Sequence, residues 1–196
     1  MWQALATVPT RSGSLAMLVV LALAIAGCGS HVRSAAPPAG VRAADLTGSP
    51  APLAALHTQA NRLIGGGVGT FEARLTALRG YPVVVNKWAH WCDPCQSEFP
   101  VFQRVSVALG RRVAFIGLDG NDQSAGAQAF LRQFPVSYPS YEDPRSTIAN
   151  HVRAASYFPQ TVFFDRRGRI VYDHVGPYES VGALERDIRH YLSVPA

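Results

Sequence analysis

The residues of this 196-residue chain best equipped for covalent chemistry are its three cysteines, and two of them stand in Trp91-Cys92-Asp93-Pro94-Cys95. Two thiols three positions apart, where the apolar run Val83-Val84-Val85 leads into helix-forming sequence, are placed to close and reopen a disulfide. A thiolate rather than a thiol attacks a disulfide, so one of the pair needs a lowered pKa. A helix N-terminus supplies that through unpaired backbone N–H groups and the positive end of the helix dipole. Cys92 falls at such a start, and Pro94 suits the first turn because its missing N–H would have had no partner there. This assigns Cys92 as the nucleophile and Cys95, one turn on, as the resolving cysteine. Asp93 and Glu98 set carboxylates near the pair, and negative charge disfavours a thiolate and moves the couple toward the reducing end. Glu98 is also placed to exchange a proton with Cys95 as a general base. Its alternative is a solvated residue that complements the helix dipole.

Other uses of the pair fit less well. Structural zinc needs four ligands, and no second Cys-x-x-Cys or His-x-x-x-His completes a set; of six histidines only His90 is near in sequence. Covalent haem requires histidine directly after Cys95, where Gln96 stands. A purely structural disulfide across two residues closes too short a loop to stabilise much. The expectation is a redox dithiol with no cofactor and no metal.

The elements that must position this pair read as alternating strands and helices. After two short helical stretches, Leu53–Leu63 and Phe71–Leu78, separated by Gly65-Gly66-Gly67, a strand beginning at Val83 ends at the cysteines. A helix from Pro94 to Leu109 turns Phe99, Phe102, Val105 and Leu109 inward. Val113–Leu118 is a fully apolar strand, which implies cover on both faces of a sheet. Ala125–Phe134 reads as a helix, followed by an extended piece near Tyr138 and a helical turn from Ser146 to Val152. Thr161–Phe164 and Ile170–His174 form a hairpin across Asp165-Arg166-Arg167-Gly168. The last helix, Glu179–Leu192, sets Val181, Leu184, Ile188 and Tyr191 on one face. This pattern predicts an α/β fold with a central mixed β-sheet flanked by helices, in one domain over residues 53–196.

The third cysteine has a different setting. Leu15 to Gly27 carries no charge and follows Arg11, which fits a secretory signal and is too short to span a bilayer. Ile25-Ala26-Gly27-Cys28 resembles the bacterial lipobox, in which the cysteine is acylated after cleavage. Residues 1–27 are thus expected to be a lipoprotein signal peptide, and Cys28 a lipidation site. The alternatives are an ordinary signal peptide with an incidental cysteine, or an uncleaved signal anchor; all three put the domain outside the cytoplasm. Residues 28–52, rich in Ala, Pro, Gly and Ser, read as a flexible tether. The net charge of +5 is modest and carried by scattered arginines, with Lys87 the only lysine, so no nucleic-acid stripe is present.

From Val83 through Pro100 the chain resembles the thioredoxin superfamily, and within it the extracytoplasmic TlpA/ResA-like (DsbE-like) branch. The resemblance resumes at Tyr157-Phe158-Pro159-Gln160-Thr161 and runs through the Asp165–Gly168 turn. It implies a thioredoxin fold and a thiol–disulfide oxidoreductase acting on client proteins, apocytochrome c among the candidates, with electrons from a transmembrane thiol reductase. It further implies that Pro159 is the cis-proline facing the dithiol, that Pro100 kinks the helix, and that Glu98 is the acidic residue of the reducing branch. Trp88 and Trp91 flank the site, each with core packing as its alternative. Asn86 stands where many cytoplasmic thioredoxins carry a buried aspartate, which leaves Glu98 as the substitute proton acceptor. Lys87 and His90 depart from the usual aromatic and serine, and His90 reads best as an ordinary loop residue. The expected protein is a monomeric, membrane-anchored reductant of client disulfides. Competing readings are a disulfide donor, a thiol peroxidase and a Cu(I)-binding lipoprotein, the last without a methionine cluster to support it.

Overall fold

The computed structural model describes residues 46–195. The expected signal peptide, Cys28 and most of the tether lie outside the described residues. The tether was expected to reach Pro52, but Leu46 is buried and the first helix, α1 (Ala51–His57), opens behind Pro50. The folded region therefore begins earlier than composition implied, because one leucine in an Ala/Pro-rich stretch found apolar cover.

A two-residue strand, β1 (Leu63–Ile64), and α2 (Gly67–Ala77) follow. Gly66 precedes α2 at φ 107°, a left-handed conformation that suits glycine, so the triple glycine turns the chain into the helix. Then come β2 (Val83–Trp88), α3 (Asp93–Leu109), β3 (Ala114–Gly120) and α4 (Ser124–Gln133). The chain ends with β4 (Ser140–Asp143), α5 (Thr147–His151), β5 (Gln160–Phe164), β6 (Ile170–Val175) and α6 (Val181–Leu192). The sheet runs β1-β4-β3-β2-β5-β6, parallel from β1 through β2 and antiparallel across β2-β5-β6. This is the mixed sheet that the sequence predicts, with one strand added at the edge. β1 leaves no mark in the sequence, because Leu63-Ile64 is too short to show any period.

Every residue of β2 and β3 is buried, as expected for central strands covered on both faces. Successive side chains point to opposite faces, and the core divides accordingly. Val84, Trp88 and Phe115 pack with Phe99, Phe102 and Val105 of α3, Phe130 of α4, and Leu184 and Ile188 of α6. Val83, Val85 and Ile116 pack on the other side with Leu53, Leu56, Phe71 and Ile148 from α1, α2 and α5. The inward residues named for the helix after the cysteines are all buried. In α6, Leu184, Ile188 and Leu192 form the buried row, with Val181 and Tyr191 at its margin. Among the described residues, no helix is long and apolar enough to cross a membrane.

Candidate active site

The site forms where β2, buried and central, ends and α3 begins. Cys92 is the N-cap of this 17-residue helix, its backbone extended (φ −94°, ψ 99°) and its sulfur accepting a hydrogen bond from the Cys95 N–H at 3.2 Å. Cys92 and Cys95 are joined as a disulfide. Cys95 is fully buried and Cys92 is 4% exposed, so an incoming sulfur can reach only Cys92. Asp93 and Pro94 occupy the first two helical positions and face solvent, and Pro100 lies exposed inside the helix. The reduced Cys92 thiolate would sit among the unpaired N–H groups of the first turn, which is the lowering device expected from the sequence.

Glu98 is not the solvated residue of the alternative reading. It is completely buried, one turn beyond Cys95 on the same face of α3. Its Oε1 accepts a hydrogen bond from Asn86 Nδ2 at 2.7 Å and its Oε2 accepts one from the Tyr178 backbone N–H at 3.1 Å. Both bonds favour the carboxylate, but burial outweighs them and raises the carboxyl to about 8. This corrects the expectation that Glu98 brings a negative charge to the cysteines at neutral pH: there it holds a proton. Asn86, also buried, keeps an Oδ1 with no hydrogen-bond partner among the described residues. Tyr178 had no sequence signal, since what it contributes is a backbone N–H. Its hydroxyl donates to Asp187 Oδ2 at 2.6 Å.

The two tryptophans part company. Trp91 is 48% exposed beside Cys92, with its ring 4.9 Å from that of Phe158 and its Nε1 donating to the Asn121 carbonyl at 3.2 Å. Trp88 does not flank the opening at all. It is fully buried, stacked on Phe130 at 4.8 Å, edge-on to Phe99 at 5.3 Å, and it donates to Ser140 Oγ at 3.2 Å. Its alternation on β2 points it into the core on the same face as Val84, which the intervening Asn86 and Lys87 conceal at the sequence level. The Phe158–Pro159 peptide bond is cis, and the Trp91–Phe158 contact brings this loop to the side of the disulfide.

His90 is bound rather than free. Its backbone N–H donates to Asp122 Oδ2 at 2.6 Å and its ring Nδ1 contacts Asp122 Oδ1. Burial opposes ionisation of Asp122, but these bonds and one from the Gln123 N–H hold its carboxyl below the ordinary range. The pair clamps the loop ahead of Cys92 to the segment after β3. Asp119, at the end of β3, is pushed up to about 9 by burial, then by its hydrogen bond and proximity to Asp122. Neither aspartate stands out in sequence: Asp119 lies at the end of β3 and Asp122 in the loop after it, and the approach of Asp122 to the segment before Cys92 is purely tertiary. Among the described residues, no group of three His, Cys, Asp or Glu side chains could hold a metal ion.

The fold and this geometry define a thioredoxin-like protein. The chain belongs to the AhpC/TSA family, whose match spans residues 48–173. It is 33% identical over 95 residues to a thiol:disulfide interchange protein DsbE homolog of Paracoccus denitrificans, covering 48% of this chain and 50% of that protein. It is 25% identical over 106 residues to the thiol-disulfide oxidoreductase ResA of Bacillus cereus, covering 54% and 61%. The matched stretch thus spans about half the length of the Paracoccus protein. Among solved structures, MTB DsbF in its mixed oxidised and reduced forms superposes with a TM-score of 0.54 at 28% identity, over 59% of this chain and 84% of that one.

Proposed function

We propose that the protein is an extracytoplasmic thiol–disulfide oxidoreductase that reduces disulfides in client proteins through Cys92 and Cys95. The observation that carries the thiol–disulfide chemistry is the disulfide itself, one sulfur reachable at a helix N-cap and the other buried one turn from Glu98; the reducing direction rests on the likeness to the DsbE and ResA proteins. In the reduced enzyme the Cys92 thiolate attacks one sulfur of a client disulfide. The client S–S bond breaks, a Cys92–client disulfide forms, and the departing client thiolate takes a proton. Cys95 then gives up its proton, which Glu98 can take only in its carboxylate form, a form that grows as pH rises toward 8, and the Cys95 thiolate attacks the Cys92 sulfur. The second client thiolate leaves, so the client gains two electrons and the Cys92–Cys95 pair is oxidised. A dithiol donor, in this reading a transmembrane thiol reductase, returns the two electrons.

Acylation at Cys28 would anchor the domain outside the membrane, and apocytochrome c is a client class in keeping with the DsbE and ResA resemblance. Replacing Cys28 by Ala is expected to release the protein from membranes with its redox activity intact. The deciding measurement is the reduction potential of the couple, followed by Trp91 fluorescence in glutathione and dithiothreitol buffers. A value below roughly −220 mV supports the reductant, whereas one near about −120 mV makes the protein a disulfide donor. Insulin reduction without peroxide turnover separates the reading from a thiol peroxidase.

A further inference from the structure

Lys87 is the only lysine in the chain, and it is fully buried in the central strand of the sheet. Among the described residues it forms no ion pair. A cation taken out of water without a counter-charge is costly, so other contacts must offset that cost. The ammonium donates to the carbonyls of Ala154 and of Ala155, the latter at 3.1 Å, and lies 3.9 Å from the centre of the Phe158 ring. All three partners belong to the irregular segment that leads into Pro159. Burial lowers the ammonium to about 8, with Asp143 acting in the opposite direction.

The surroundings are shaped to admit this contact. At the end of β3, a Cβ on Gly120 would lie 3.2 Å from Phe158 Cζ and 3.4 Å from Lys87 Cγ and Cδ, so the bare glycine lets stem and ring approach. Gln160 pairs with Lys87 across β2 and β5, and its Nε2 donates to the Arg153 carbonyl at 3.4 Å, holding the same segment from its other end. The far side of the Phe158 contact is Trp91, next to Cys92. The resulting line of contacts runs from Lys87 through Phe158 to Trp91. Lys87 also occupies the face of β2 opposite Asn86 and Glu98, so it has no direct route to the thiols.

We infer that Lys87 is a positioning residue for client docking: it fixes residues 154–158 so that Phe158 and Pro159 present a set surface beside the disulfide to the client chain. The inference rests on the proposed reductase reading. It separates two tasks between neighbouring residues of β2, docking on one face and proton handling on the other.

The test uses a disulfide-containing peptide and compares the full chain with Lys87→Met and Lys87→Gln. Lys87→Met keeps the stem and removes the donors, and is expected to raise KM about tenfold, the size of about 1.4 kcal/mol. The kcat and the reduction potential should stay unchanged, while Trp91 emission shifts as its contact with Phe158 loosens. Lys87→Gln, which retains an amide donor, should recover part of the loss. An unchanged KM in Lys87→Met, or a fall in kcat with a shifted potential, overturns the inference. Should both variants fail to fold, the single lysine offers a readout in the otherwise unaltered site. Its 15Nζ resonance should move when the peptide is trapped on Cys92 in Cys95→Ser protein, and an unmoved resonance overturns the inference. Failure of the unsubstituted protein to reduce the peptide is a separate result that removes the reductase reading and this inference with it.

Discussion

Asn86 and Lys87 are neighbours in one strand, both polar and both buried, yet they serve opposite faces of the sheet and solve burial in different ways. Asn86 is neutral and meets Glu98, whose proton removes the need for a counter-charge near neutral pH. Lys87 keeps a charge and spreads it over two carbonyls and an aromatic ring. One face buries a carboxyl one turn beyond Cys95; the other holds a loop. The contrast teaches that a polar residue in an all-buried strand is informative only when its face is known, since a shift of one residue exchanges the two environments.

The largest expected effect falls on the face with the thiols. Cys92→Ser should abolish reduction of a peptide disulfide, whereas Cys95→Ser should accumulate a mixed disulfide visible on a non-reducing gel; a species trapped only through Cys95 would reverse the two roles. Next, Asn86→Leu removes one of the two donors to Glu98 and should cost about 1–3 kcal/mol in urea unfolding. It should also raise the carboxyl further above 8, read by infrared or NMR titration.

The pH dependence of stability sharpens the comparison, because the two faces have opposite signs. Glu98 keeps its proton to about 8 in the fold and loses it at about 4.5 when unfolded. The unfolded chain therefore binds fewer protons between those values, and the stability from Glu98, complete below 4.5, falls as pH rises to 8. Lys87 releases its proton near 8 in the fold against 10.5 unfolded. Its contribution is complete above 10.5 and is lost as pH falls through 8. Denaturation midpoints across pH should show a descending limb that Glu98→Gln flattens and an ascending limb that Lys87→Met flattens; one variant flattening both limbs would break the separation. The smallest effect is on Trp91→Ala, which should change stability by no more than about 0.5 kcal/mol as an exposed position, yet weaken peptide binding and abolish much of the redox-linked fluorescence change.

Much of this was legible in the chain. The strand-to-helix passage into Cys92, the inner row Phe99, Phe102, Val105 and Leu109, and the hairpin at Asp165–Gly168 all follow local rules of period, capping and turn chemistry. What stayed hidden was of a different kind. Trp88 and Trp91 look alike in sequence, but the end of β2 sends one into the core and leaves the other exposed. His90 reads as a bare loop residue until Asp122, 32 positions away, closes on it.

By itself, then, the sequence pointed to redox chemistry at Cys92 and Cys95, because two thiols at a helix start are placed to close and reopen a disulfide, and it determined the order of elements from α2 onward, because hydrophobic period is a local property. Tertiary structure alone decided the protonation of Glu98 and the setting of Lys87. Both depend on how far a side chain is removed from water and on which distant groups meet it there, and neither quantity is written in the neighbouring residues.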